Sequence, residues 1–277
     1  MKIKTILKIV FVFIAFFIIY NKIDINQLQK IEFKNPIYLI LGFLFFNLSQ
    51  FISAFRIHLY LKEINITPLF KHQLILYYLG MFYNTILPGG IGGDGYKAYK
   101  FQKAFEIGYK KIIKALLIDR LSGLMAIFIL LAVLMFFSSF KEFIIYSSLL
   151  LIITPFILYF IHKYFFVEFK NMAFKNLFFS ILIQSLQAIT FLAILLSLGN
   201  NTHLVDFMIL FFISSIVSVI PLSVGGVGLR ELTFLYGLEF LKLEPTIGVI
   251  SAFVFFLITI ISSSIGGIFL KKELQLK

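Results

Sequence analysis

The chain has 277 residues, 60% of them apolar and 14% charged, with a mean hydropathy of +1.00. No polar stretch is long enough for a separate water-soluble core, so a single integral membrane domain of all-α class, residues 1–277, is expected. Cysteine is absent, which excludes disulfides, thiolate metal sites and cysteine nucleophiles. The net charge of +12 lies in short loops beside apolar segments, where it reads as a membrane topology signal and not as a nucleic-acid surface.

A bilayer core about 30 Å thick takes roughly 20 apolar residues at 1.5 Å each. Residues 5–20 follow a basic start and show no small-residue cleavage site before Asn21, which predicts a retained first span. Residues 36–55 form the second. The apolar run 69–87 then enters LPGGIGGDGYK at residues 87–97. Full spans follow at 112–137, 143–161 and 177–198. A second interrupted run, 204–220, enters IPLSVGGVGLR at residues 220–230, and residues 246–270 make the last span. The expected architecture is polytopic, with six full spans and two glycine-broken re-entrant helical hairpins.

Laid over each other without a gap, the two glycine clusters share a proline and three glycines in register, and each closes on a cation, Lys97 or Arg230. Each also follows a full span, a short polar loop and an apolar run, which predicts an internal repeat over residues 36–137 and 175–270. Short cytoplasmic loops retain lysine and arginine. If both clusters turn back within the membrane, eighteen of the 25 cations fall on one side and six on the other, with Arg120 inside a span. Both termini are then cytoplasmic, in the cytoplasmic (inner) membrane, and the repeats have opposite orientation.

Irregular backbone at membrane depth survives only where protein buries it or where it lines a wet cavity. Two such breaks, inverted, are expected to meet near the midplane with their amino-terminal amides aimed at an anionic group. Half-helices beginning near Gly93 to Gly95 and Gly226 to Gly228 would each carry a cation in the first turn, Lys97 and Arg230, the latter beside Glu231. Asp94 is placed either to cap its half-helix or to meet substrate. Asp119 and Arg120 lie about two turns inside a span, where charge is costly. They point roughly 100° apart and therefore need partners elsewhere, with Lys97 and Asp94 as candidates. Polar residues recur at helical spacing in Asn47, Gln50 and Ser53 and again in Gln184, Gln187 and Thr190, mainly as glue between helices. The four histidines, His58, His72, His162 and His203, are scattered without metal-ligand spacing and are read as helix-end or loop residues.

Enzyme motifs are incomplete. Gly90, Gly92 and Gly95 satisfy G-x-G-x-x-G but follow an apolar helix ending in proline and not a strand, and Tyr96 stands where a phosphate-binding loop needs lysine. The pattern of membrane phosphotransferases that use CDP-linked lipids starts at Asp94 and Gly95 and then fails: its arginine is Tyr99, and its two later aspartates are Ile112 and Leu116. No cofactor and no metal site is expected, and no complete catalytic motif is present.

The run from Arg56 through LPGGIGGD, the later ALLIDRLSGL at 115–124 and IPLSVGGVGLRE at 220–231 together resemble the lysylphosphatidylglycerol synthase transmembrane-region family, also described as flippase-like, over roughly residues 36–270. Its members are similar to the membrane half of bacterial multiple peptide resistance factors, which translocates aminoacylated phospholipid, and to proteins linked with polyprenyl-phosphate sugars. The resemblance implies handling of a lipid with a large polar headgroup. It places the family's first motif on Pro88, Gly92, Gly93 and Asp94, with Lys97 or Lys100 as the basic residue after it. The acid-arginine pair falls on Asp119 and Arg120, and the second motif on Pro221, Gly225, Gly226, Gly228, Arg230 and Glu231. No soluble aminoacyl-transferase domain lies within these residues, so lipid synthesis is not implied. The expectation is a translocase for an anionic polar-headgroup lipid: aminoacylated phospholipid, glycolipid or polyprenyl-phosphate-linked. The alternative is an intramembrane enzyme or accessory subunit acting on polyprenyl-phosphate or phospholipid substrates. Expected partners are membrane lipids and enzymes of lipid or glycan synthesis.

Overall fold

A computed structural model describes residues 3–23, 32–86, 92–138, 144–220, 226–271, 274 and 276. Among the described residues the chain is helix and connecting loop, with no strand. In order it forms α1 (Ile3–Lys22), α2 (Ile37–Glu63), α3 (Phe70–Ile86), α4 (Gly92–Phe105), α5 (Tyr109–Met135), α6 (Ile144–Tyr164), a 3₁₀ segment (Val167–Met172), α7 (Ala173–Ser197), α8 (Leu204–Val217), α9 (Leu229–Phe240) and α10 (Thr246–Gly267). Helices α2, α5, α6 and α10, together with the stretch Val167–Ser197, are long and apolar enough to cross a bilayer. The first expected span is the helix α1, whose described apolar part covers Val10–Lys22. The chain is a multi-pass helical membrane protein.

One boundary departs from expectation. The span predicted to stop at residue 55 continues as unbroken helix to Glu63. Arg56 and His58 look like the polar end of a span, but both are buried: Arg56 is taken up by partners on other helices, and His58 bonds Gln73 on α3. His162 is likewise buried against Tyr60, at 3.1 Å, so neither histidine is the loop residue that the sequence suggests.

The succession long, short, short, long occurs twice, as α2 to α5 and as α7 to α10. Helices α2 and α7 pack along their length in opposite directions. Thr190 Oγ1 donates to the Gly42 carbonyl at 3.2 Å, while thirteen residues farther along α2 the Phe55 ring lies 5.4 Å from Phe179 on α7. Small residues at this crossing let the backbones approach. The remaining contacts are exchanged reciprocally: α3 of the first unit packs on α10 of the second, and α8 of the second packs on α5 of the first.

Apolar packing gathers the helix ends at two poles. At one, Leu61 of α2 and the following Ile66 meet Phe101 near the end of α4, Ile112 at the start of α5, and Phe169. At the other, Phe207 of α8, Leu238 of α9 and Val249 of α10 pack together. There too the Asn35 amide donates to Ser197 and Lys22 pairs with Glu239 at 2.7 Å. Each short hairpin therefore starts and finishes at one pole, the first at the Leu61 pole and the second at the Leu238 pole. At 1.5 Å per residue the 17, 14, 14 and 12 residues of α3, α4, α8 and α9 reach only about 18–25 Å, too short to cross hydrocarbon alone.

Candidate functional site

The first hairpin closes where Gly80 of α3 meets Gly93 of α4. A Cβ on Gly93 would lie 1.8 Å from the Gly80 carbonyl oxygen, so only glycine allows the crossing. The Gly93 amide, unsatisfied by its own helix, donates to Asn84 Oδ1 at 2.8 Å. At the next residue, the Asp94 carboxylate is shared by two cations. Lys97 Nζ lies 2.6 Å from Oδ1 and Arg120 Nε lies 2.5 Å from Oδ2. Lys97 also lies 5.3 Å above the centre of the Tyr77 ring. Asp94 thus links its own half-helix to the long helix α5.

Asp119 faces the other way, as neighbouring positions on a helix must. Its Oδ1 accepts from Arg56 Nε at 2.7 Å, and Arg56 Nη1 donates to Ser180 Oγ at 2.6 Å, so one buried pair ties α2, α5 and α7 together. A charge pair in such surroundings is held by mutual neutralisation and hydrogen bonding.

In the second hairpin Gly226 and Gly228 both take φ +84°, the left-handed conformation that a Cβ disfavours. Glu231 reaches back so that Oε2 accepts from the Gly228 amide at 2.7 Å, capping α9, and it is fully buried behind the turn. Arg230 turns the opposite way. Its guanidinium lies 5.3 Å from the Phe255 ring centre and donates to Ser215 Oγ at 3.2 Å. No carboxylate among the described residues lies within ion-pairing distance of it.

Between the two hairpins lies a cavity of about 910 Å³. The first hairpin contributes Tyr77, Asn84, Thr85, Asp94 and Gly95, and the second contributes Ser215, Ser218, Gly226 and Arg230. Gln50 of α2 and Gln187 of α7 face it from the paired helices, Arg120 from α5, and Thr259 and Ser263 from α10. Its rim carries exposed apolar side chains: Ile113 and Leu117 on α5, at 53% and 48% exposure, and Val219 and Ile220 after α8, at 66% and 48%. The wall thus sets polar and net cationic side chains among apolar ones such as Phe46, Met81 and Phe255, and it is apolar at its edge.

Of the residues singled out from sequence, Asp94, Arg120, Gly226 and Arg230 stand at this wall. Lys97 stands behind it on Asp94, Gly92 opens α4, and Gly93 makes the crossing. Gly228, Glu231 and Asp119 serve the frame: Gly228 packs against Ala15 of α1, Glu231 caps α9, and Asp119 holds Arg56. Pro88, Pro221 and Gly225 lie outside the described residues. Of the polar stripes, Gln50 and Gln187 reach the cavity, whereas Asn47 binds Ser262 at 3.0 Å and Thr190 binds Gly42. Arg56, counted from sequence as a loop cation, is part of the buried frame. Asn84, Ser215 and Ser218 were missed, although their spacing just ahead of each glycine cluster was visible. Among the described residues no group of three or more acidic or histidine side chains could hold a metal ion.

The family model described as "Lysylphosphatidylglycerol synthase TM region" matches residues 5–267. No curated protein and no solved structure matches the chain.

Proposed function

Because the chain belongs to the lysylphosphatidylglycerol synthase transmembrane-region family, we propose that it is a lipid translocase that carries an anionic polar headgroup through the cavity between its hairpins while the tails stay in the bilayer. The observation that carries this reading is the junction of a cavity that bears polar and net cationic side chains with an exposed apolar rim. A headgroup that crosses through such a cavity avoids hydrocarbon, which would cost several kcal/mol for each unsatisfied polar group. Tails lying along Ile113, Leu117, Val219 and Ile220 need never enter water.

On this reading the hairpins are re-entrant and the two units form an inverted repeat, with the half-helix amino termini turned toward the lipid phosphate. Arg230 is the primary phosphate contact, and Arg120, which keeps its hold on Asp94, adds positive charge at the same wall. The lysine-rich Leu61 pole is cytoplasmic, in the cytoplasmic membrane, with both termini on that side, where lipid- or glycan-synthesis enzymes would supply substrate. The protein acts as a transporter and not as an enzyme.

Reconstitution of the purified chain in liposomes with headgroup-labelled lipids tests this. Faster transbilayer movement of anionic lipid than in protein-free vesicles is expected. Unchanged movement across a panel of anionic phospholipids and polyprenyl phosphates would end the proposal, and appearance of a chemically altered lipid would favour the enzyme alternative.

A further inference from the structure

We infer that the lipid taken by this cavity is linked through an anionic phosphate and has a headgroup that carries hydroxyls and no cation. This rests on the translocase reading and narrows it. Among the described residues the charged side chains at the wall are Asp94, Arg120 and Arg230. An ammonium in the headgroup would need a carboxylate with an oxygen to offer. Both oxygens of Asp94 are engaged, at 2.6 Å by Lys97 and at 2.5 Å by Arg120. Glu231 does not reach the wall: its Oε2 is held by the Gly228 amide, and its Oε1, which has no hydrogen-bond partner, is buried behind the turn. The sequences LPGGI at 87–91 and PLSVG at 221–225, outside the described residues, contain no acidic residue.

A cationic headgroup would therefore leave water to sit beside Arg230 and Arg120 without a counter-charge, in surroundings where like charges repel far more strongly than in water. An anionic phosphate meets the reverse situation, because Arg230 has an aromatic face and a serine hydroxyl for company and no carboxylate among the described residues to release. Around it the wall presents uncharged groups: the amide of Gln187, which can donate and accept, and the hydroxyls of Ser218 and Thr259, which donate to carbonyls of their own helices and keep lone pairs to accept. Those groups suit headgroup hydroxyls.

The test is displacement of labelled phosphatidylglycerol from the full chain in detergent by phosphatidylglycerol or lysyl-phosphatidylglycerol of matched acyl chains, run beside transbilayer movement of both in liposomes. Phosphatidylglycerol is expected to bind about tenfold or more tightly. Lys97→Gln, which removes one of the two cations on Asp94, should narrow the gap, and Arg230→Gln should weaken phosphatidylglycerol without weakening the lysyl lipid. Equal or tighter binding of lysyl-phosphatidylglycerol by the natural protein overturns the inference, as does the absence of binding by either lipid, or a gap that neither variant changes. Selective binding without transbilayer movement keeps the headgroup inference and ends the translocase reading. Movement of the lysyl lipid as fast as phosphatidylglycerol does the opposite.

Discussion

Two arginines in this chain face the same problem, a positive charge away from bulk water, and meet it differently. Arg56 is neutralised within the frame by Asp119 and Ser180. Breaking such a pair from one side leaves a buried charge, so Asp119→Asn should lower stability by about 3–5 kcal/mol, seen as earlier thermal unfolding in detergent. Replacing both partners by apolar residues, Arg56→Met with Asp119→Leu, should recover most of that loss, because the desolvation cost leaves with the charges. Among the described residues Arg230 meets a ring and a hydroxyl and no carboxylate within ion-pairing distance, which leaves its charge available at the cavity wall. Arg230→Gln should therefore fold normally and lose lipid movement by about tenfold or more, with partial return in Arg230→Lys, since a point charge replaces the planar fork. Normal movement in Arg230→Gln would remove this residue from the proposed path.

The hairpins work as elements because glycine lets two helix backbones touch. At the Gly80 and Gly93 crossing, a single methyl group meets a carbonyl oxygen at 1.8 Å. That neighbour is backbone and cannot rotate away. Gly93→Ala should force α4 off α3, pull Asp94 away from Arg120, and reduce lipid movement more than stability, as compared by liposome assay and thermal unfolding. The second unit has a corresponding constraint in the turn at Gly226 and Gly228, where φ of +84° is the first demand and close packing, with Ala15 2.9 Å from a Cβ on Gly228, adds to it. The shared glycines are readable as a repeated motif in the sequence. That one set serves a crossing and the other a left-handed turn is not, because close approach depends on where the neighbouring helix lies.

For the whole molecule, the reciprocal packing of α3 on α10 and α8 on α5 makes each unit the wall of the other's hairpin, so neither encloses the cavity alone. The proposed orientation can be checked directly, since the chain has no natural cysteine. Single cysteines at the exposed positions Lys103 and Glu239 should be labelled by an impermeant reagent from opposite sides of the membrane. Labelling of both from one side would remove the inverted arrangement. Composition and hydropathy alone determined the helical membrane class and the places where helices break, because a bilayer demands apolar length and satisfied backbone wherever a segment lies. They also marked Asp94, Arg120 and Arg230, whose charge is conspicuous in an apolar run. Only the tertiary structure decided which charges meet. Asp94 and Arg120 are 26 positions apart, Arg56 and Asp119 are 63, and both pairings depend on how α2, α4 and α5 pack, which no local pattern encodes. For the same reason Arg56 could be mistaken for a loop cation and Glu231 for a cavity residue: the side of a helix that faces a cavity is set by its neighbours and not by its own sequence.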